Sequence, residues 1–433
     1  MEKTKRTLIK NCNQEKKDLI FFGWVHEIRE LSNIKFILLR DSGGIIQCIL
    51  KKSGKIWKEF NKVSLESLIE IKGNLKKALV KSPEVTIKDF EIEITDFKLL
   101  NKSEKLPINI IEKEINTSLS KRLDYRSIDI KKPEVKAIFE IQSTIANSFR
   151  EFFYKKEFIE IQPPIIIGSS SEGGTELFKL NYFEKKAYLA QSPQLYKQLC
   201  AINWEKVFSI SPVFRAEKHN TLRHLNESRQ MDIEMAFANA KQVMEQIEEV
   251  LKYIVKKINE KNSQELKLLN IKLKEIKAKY FTFSEITELM KKEKIKIEKQ
   301  DLSSEVEKKL GELYPNTIIF VYDWPLSGKP FYIMPKNEDE KSEFSEGFDA
   351  IYNGIEISSG GQRIHLPKLL IQRLKANKLN PKNFKDYINS FHYGAPIHSG
   401  WSIGLERLTM ALLNLKNIRE GCLFPRDRER ILP

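Results

Sequence analysis

The chain has 433 residues, a net charge of +15 and 41% apolar residues. That length implies two or three domains at roughly 100–200 residues each. Glycine and proline are too sparse for a fibrous or disordered protein. The four cysteines, Cys12, Cys48, Cys200 and Cys422, include no C-x-x-C pair and no zinc spacing, which argues for reduced thiols in the cytoplasm. No apolar run reaches the roughly 18–20 residues of a membrane span, and the first residues lack the apolar stretch of a signal peptide. A basic balance of this size suits a partner with a phosphate backbone, but it equally suits a lysine-rich proteome.

Residues 18–100 read as β. Apolar runs recur at Leu19–Trp24, Ile34–Leu39, Ile45–Leu50, Leu68–Ile71 and Phe90–Ile94. Five short strands in this span predict a small barrel of the OB type. Residues 101–132 are polar and aperiodic and read as a linker or hinge. From Pro133 the period changes: Ile138, Ile141, Ile145, Phe149 and Phe152 mark one face of a helix that Pro133 can start. Phe158–Ile161 is a short strand stopped by Pro163 and Pro164. Residues 165–237 and 316–424 contain strands, glycine turns and clustered charges. The segment between them, about 240–310, is dense in Lys and Glu with amphipathic spacing and is expected to be a helical insertion on the surface of a second domain, 133–433.

Several chemistries are excluded. There is no G-x-x-x-x-G-K-[ST], no H-E-x-x-H and no G-x-S-x-G. If the chain uses ATP, side chains must hold the phosphates. The strongest candidate is the loop from Phe214 to Glu227, between the apolar strands Val207–Ile210 and Ile233–Phe237. It carries Arg215, Glu217, His219, Arg223 and His224. Arginine presents a rigid fork of donors matched to phosphate oxygens. A single Arg-x-Glu would suggest only a salt-bridged hairpin tip; two arginines and two histidines in ten residues do not. A second candidate is Gly400–Leu408, where Arg407 starts an apolar helix and adds to the positive end of its dipole. Taken alone, that glycine-rich Glu-Arg is weak, as is the strand Phe158–Pro164.

Taken in order, Phe158–Pro164, Phe214–Glu227 and Gly400–Leu408 resemble motifs 1, 2 and 3 of class II aminoacyl-tRNA synthetases. The stretches Ser171–Glu176, Gln191–Gln198, Gly354–His365 and Leu423–Arg428 narrow the resemblance to archaeal-type aspartyl-tRNA synthetases. It runs from about Phe21 to Pro433 and is weakest over 240–310. It implies an α+β chain: an OB-fold anticodon-binding barrel (1–100), a linker (101–132) and a class II catalytic domain whose antiparallel sheet is flanked by helices.

The resemblance also implies roles for particular residues. Arg215 would hold the ATP α-phosphate and Glu217 would orient adenine, with Ala216 between them. Arg223, His224 and Leu225 would meet the bent triphosphate and base. Gly404, Leu405, Glu406 and Arg407 would line the ATP site, with Arg407 on the γ-phosphate. Glu356 and Ser359 would hold Mg²⁺, and Glu356 would also touch ATP. L-aspartate would lie against the stretch Gln194, Leu195, Tyr196 and Lys197. Lys197 and Arg363 would take its side-chain carboxylate, Glu172 its ammonium, and Gln194 and Ser359 would add polar contacts. In the barrel, Phe36 would stack on an anticodon base, Gln47 would read the central uridine and Arg29 would add a basic contact.

His26 in Gly23–Glu27 and Pro83 in Lys81–Glu84 match relaxed forms that charge both tRNA-Asp and tRNA-Asn. A homodimer through motif 1 is implied as well. An asparaginyl-tRNA synthetase is the alternative, against which Lys197 speaks. A non-catalytic paralogue is a second alternative, but Arg215, Glu356 and Arg407 are all kept. The family usually has Gly-Gly-Phe-Gly-Leu-Gly before the motif 3 Glu-Arg. Here Trp401 and Ser402 depart from it, and they are expected to reshape the pocket floor.

Overall fold

The computed structural model describes residues 6–111, 116–168, 176–218, 220–298 and 300–433. The chain divides into two compact units, Met1–Ile128 and Asp129–Pro433. Among the described residues no helix is long and apolar enough to cross a membrane.

In the first unit, strands β1 (Lys16–Leu31), β2 (Ile34–Asp41) and β3 (Gly44–Lys51) are followed by helix α1 (Gly54–Phe60), then β4 (Leu68–Lys77) and β5 (Phe90–Asn101). They close into a barrel in the order β1-β2-β3-β5-β4, so each of the five apolar runs is a strand. Period-two alternation sends Phe21, Ile37, Leu39, Ile46, Cys48, Ile69 and Ile92 into the interior, all completely buried. Gly23 is required, because a Cβ there would lie 2.7 Å from the Arg40 carbonyl oxygen. The stretch 101–132 is more structured than its composition predicts. It forms helices α2 (Leu119–Asp124) and α3 (Arg126–Asp129), and Ile108, Ile110 and Leu123 are buried.

The second unit begins with helix α4 (Pro133–Lys155), with Pro133 in its first turn and the expected apolar face buried. Strands β6 (Ile159–Glu160), β7 (Ile166–Ile167), β8 (Lys179–Tyr182) and β9 (Lys185–Leu189) follow, then helix α5 (Gln194–Trp204), then the hairpin β10 (Lys206–Phe214) and β11 (Glu227–Ala236). Helices α6 (Ala240–Lys261) and α7 (Ser263–Leu268), strand β12 (Lys277–Thr282) and helices α8 (Phe283–Lys292) and α9 (Ser304–Leu313) make up the next segment. The chain then forms β13 (Thr317–Tyr322), β14 (Gly347–Tyr352), β15 (Ile355–Gln362), α10 (Pro367–Ala376), α11 (Lys385–Phe391), β16 (His398–Gly404) and α12 (Leu405–Leu413).

Eight strands form one sheet, in the order β12-β13-β14-β15-β16-β11-β10-β6. Its interior is antiparallel as expected, but both outermost pairings, β12 with β13 and β10 with β6, are parallel. The sheet is therefore mixed.

The segment 240–310 is not a surface insertion. The apolar stripe of α6, including Val243, Ile247, Val250, Ile254 and Ile258, is buried in the same core as α4 and the sheet, and β12 extends the sheet itself. The amphipathic period indicated helices there. The density of Lys and Glu described only their outer face and concealed that the inner face is structural.

Candidate active site

The pocket lies on the sheet face opposite α4 and α6, because alternate residues of the central strands point to opposite sides. On β11, Met231 and Ile233 enter the core while Asp232 and Glu234 point the other way. On β16, Trp401 and Ile403 enter the core, and Ser402 lies in register with both Asp232 and Ser359. Gly400 leaves the space that Glu234 occupies: a Cβ there would sit 2.2 Å from Glu234 Oε2.

One cavity is lined by Gln194, Lys197, Arg215, Glu217, Arg223, His224, Leu225, Glu356, Ser359, Arg363, Gly404, Glu406 and Arg407. Leu195, Tyr196, Ala216 and Leu405 are not among the residues that line it. On α5, only positions three or four apart share a face, so Gln194 and Lys197 face the cavity while Leu195 packs against the cluster containing Leu369 and Phe384. Leu405 belongs to the main core. Glu172 falls outside the described residues.

At one end of the cavity four buried charges interlock. Lys197 Nζ lies 2.9 Å from Asp232 Oδ1 and 3.5 Å from Glu234 Oε2, and it donates to the Trp401 carbonyl at 3.1 Å. Arg363 donates through Nε to Glu234 Oε1 at 2.9 Å and through Nη2 to Oε2 at 3.3 Å. Burial alone would raise the Glu234 carboxyl, but Arg363 and Lys197 override it and hold Glu234 below its usual range. These cations have their countercharges before any ligand binds, so neither Lys197 nor Arg363 is a solvated surface charge.

The other end is built from two loops and a helix start. The Asn226 side chain donates to the carbonyls of Arg215 and Glu217 at 2.6 and 3.1 Å, bracing the loop after β10. The C-terminal stretch 423–428 pairs with the base of that loop, where Asn226 N donates to the Arg426 carbonyl at 2.8 Å. Arg223 pairs with Glu307 of α9 at 2.7 Å and donates to the Gly354 carbonyl at 3.1 Å. Arg407 reaches the Glu356 carbonyl at 3.3 Å and its carboxylate at 3.9 Å. The Glu356 side chain keeps 39% of its surface open to the cavity. Partial burial, opposed by Arg407 and reinforced by the nearby Asp349 and Glu307 carboxylates, raises its carboxyl above the usual range. Glu406 is buried and pushed up to about 7, while it accepts from Arg229 N at 3.0 and 3.2 Å.

Trp401 does not reshape the cavity floor. Its ring is completely buried against Phe149 and Phe153, and its carbonyl alone meets Lys197. Ser402 is the departure that reaches the cavity. Sequence reasoning missed Asp232, Glu234 and Glu307 as site residues. The alternation Asp232-Ile233-Glu234 on a strand could have signalled the first two. Nothing local marks Glu307, which reaches the site only through the tertiary fold.

In the barrel, Phe36 and Arg29 are cross-strand partners and Gln47 lies opposite Leu38, so the three share the outer face of β1–β3. Arg29 is held by Glu27 at 2.8 Å, and Gln47 donates to Glu91 at 2.8 Å. His26 is almost fully buried. Its Nε2 meets Glu84 Oε2 at 2.8 Å and its Nδ1 meets Arg40 at 3.1 Å. Pro83 is exposed.

Residues 118–428 match the family described as tRNA synthetases class II (D, K and N), and residues 20–100 match an OB-fold nucleic acid binding domain. The chain is 41% identical to the aspartate–tRNA(Asp/Asn) ligase of Archaeoglobus fulgidus, over 97% of both chains. It is 42% identical to the aspartate–tRNA(Asp) ligase of Pyrococcus furiosus, over 95% of both. Among solved structures, the asparaginyl-tRNA synthetase of Pyrococcus horikoshii complexed with asparaginyl-adenylate superposes with a TM-score of 0.90 at 30% identity, covering 96% of each chain. The aspartyl-tRNA synthetase of Entamoeba histolytica gives 0.87 at 32%, covering 100% of this chain and 93% of that one. With a fold, a cavity and a sequence match that span nearly its whole length, the chain belongs to the class II tRNA synthetases of the aspartate, lysine and asparagine group, among the aspartate–tRNA ligases.

Proposed function

We propose that this enzyme activates L-aspartate with ATP and transfers the aspartyl group to tRNA-Asp and also to tRNA-Asn, in the cytoplasm. The observation that carries the amino-acid assignment is the buried pair Lys197 and Arg363 at the closed end of the cavity. A side-chain carboxylate can only accept from these donors, whereas the amide of asparagine would turn an N–H toward one of them.

Activation needs no protein nucleophile. The aspartate carboxylate attacks the α-phosphorus of ATP, and pyrophosphate leaves. The protein orients the two reactants and offsets developing charge with preorganised donors. Arg215 is suited to the α-phosphate and Arg407 to the γ-phosphate, with Glu217, Arg223, His224 and Glu406 around the nucleotide. In the second step a terminal ribose hydroxyl of the tRNA attacks the activated carbonyl and AMP leaves.

Mg²⁺ fits the residues present. Glu356 and Ser359 supply hard oxygen donors, and the raised Glu356 carboxyl, crowded by Asp349 and Glu307, gains from a nearby cation. Glu356 and Ser359 would hold the ion, which would neutralise charge on the phosphate oxygens.

The tRNA reading rests on the barrel face. Stacking on Phe36 with contacts from Gln47 and Arg29 suits a splayed single strand. The two tRNAs differ at the third anticodon base, C in tRNA-Asp and U in tRNA-Asn. Because His26 is buried, its influence would pass through Glu84 to the loop bearing Pro83, and proline offers no N–H and no charge to read a base edge. Some relatives, such as that of Methanopyrus kandleri, are named as tRNA(Asp/Asn) ligases, but those of Pyrococcus are named for tRNA(Asp).

A homodimer through α4 and the segment ending at Pro164 is part of the same proposal. Tyr154, Ile159, Ile165 and Ile166 are all exposed there.

The test is ATP–pyrophosphate exchange with aspartate and with asparagine, followed by charging of purified tRNA-Asp and tRNA-Asn. Equal exchange with both amino acids would refute the substrate assignment. A hundredfold or greater preference for tRNA-Asp, about 2.7 kcal/mol, would refute relaxed tRNA choice. If the choice is relaxed, His26→Trp with Pro83→Lys should narrow it.

A further inference from the structure

Behind the amino-acid end of the cavity, buried polar groups from three elements form a hydrogen-bond chain whose direction can be deduced. His398 is completely buried at the start of β16, and its Nδ1 lies 3.0 Å from the Pro396 carbonyl oxygen. A carbonyl can only accept, so Nδ1 carries the proton. Burial pushes the imidazole down to about 4, so the ring is neutral near pH 7 and its Nε2 is an acceptor.

The Gln198 amide meets that Nε2 at 2.9 Å and must present its NH₂ group there. Its oxygen therefore points the other way. It accepts from the Tyr387 hydroxyl at 2.9 Å and from Gln194 Nε2 at 2.9 Å. Gln198 is completely buried, and Gln194 and Tyr387 nearly so. Once the Gln194 nitrogen is committed, the free end of its amide is Oε1. Gln194 lines the cavity, and among the described residues this oxygen accepts no hydrogen bond.

We infer that His398, Gln198 and Tyr387 are positioning residues that fix the Gln194 amide so that the cavity receives an acceptor, suited to the ammonium group of the amino acid. The opposite amide orientation would offer a donor to a group that can only donate. The direction is set three groups away from Gln194, at the Pro396 carbonyl, and each link leaves its neighbour one allowed orientation. This rests on the reading of the cavity as an aspartate site.

The test uses the full-length enzyme in aspartate-dependent exchange. Gln198→Met removes both functions of the relay. The expected loss is one charge-assisted hydrogen bond, a rise in the aspartate KM of about 10- to 100-fold, with the KM for ATP unchanged. Inhibition by succinate, which has both carboxylates and no ammonium, should stay within about twofold. In a Gln194→Ala background, adding Gln198→Met should change the aspartate KM no further, because the effect passes through Gln194.

Tyr387→Phe deletes a single hydroxyl and should give a smaller change with the same selectivity, which covers the case in which Gln198→Met fails to fold. Parallel weakening of aspartate and succinate, or additive effects in the double variant, would overturn the inference. An unmutated enzyme that does not exchange with aspartate would instead refute the reading of the site.

Discussion

Replacing Lys197 by Met keeps the length of the side chain and removes its charge. Nζ now lies 2.9 Å from Asp232 and 3.5 Å from Glu234, and Lys197 is only 1% exposed. Truncating one partner of a buried, hydrogen-bonded charge pair costs about 2–5 kcal/mol. At about 1.4 kcal/mol per decade, kcat/KM for aspartate should fall by roughly 1.5 to 3.5 decades. The KM for ATP should hold, because Arg215 and Arg407 are untouched.

The same change leaves Asp232 without its lysine, so the fold should also lose stability, by about 3–5 kcal/mol. Lys197→Met with Asp232→Asn separates the two effects: thermal stability should largely return while aspartate exchange stays low. The assays are pyrophosphate exchange at varied aspartate and ATP, with unfolding followed by circular dichroism. A folded Lys197→Met enzyme within fivefold of the unmutated kcat/KM would refute a carboxylate-binding role for this lysine.

Arg215→Ala and Arg407→Ala should each slow adenylate formation by about 10²–10³-fold while tRNA binding, measured by filter retention, stays nearly intact; retention of most of the exchange rate would break the motif 2 or motif 3 assignment. Burial holds the Glu406 carboxyl up at about 7, so between the unfolded value near 4.5 and about 7 the folded state binds the extra proton. Its contribution therefore lowers stability as pH rises through that window and is constant above it. Glu406→Gln should accordingly gain stability relative to the unmutated protein at pH 8, with the difference shrinking toward pH 5 in denaturant titrations; a pH-independent difference would count against it. In sedimentation velocity at micromolar concentration the protein should run as a dimer, and an arginine at Ile159 should dissociate it; a monomeric unmutated protein would refute the proposed interface.

Local pattern alone determined a good deal of this protein. Short recurring apolar runs located all five barrel strands, and the recurrence of Ile138, Ile141, Ile145 and Phe149 located α4. Both are patterns among neighbours in sequence. Long ordered motifs also marked Arg215, Lys197, Glu356, Arg363 and Arg407, which line a single cavity although they lie up to 210 residues apart.

Other features depended on contacts that no local pattern encodes. The charge-rich segment 240–310 gave the period of its helices but not their partner, so α6 looked like a surface helix until α4 and the sheet covered its stripe. Leu195 sits within a site motif yet packs into the cluster with Leu369 and Phe384, because a helix turns successive residues away from one another. Trp401 and Ser402 are neighbours in sequence, but a strand sends one to the core and the other to the cavity. The countercharges of the amino-acid site, Asp232 and Glu234, and the α9 residue that anchors Arg223 became functional only when the sheet and helices brought them within hydrogen-bonding distance. Electrostatic and hydrogen-bond roles depend on separation in space, and that is fixed by tertiary packing.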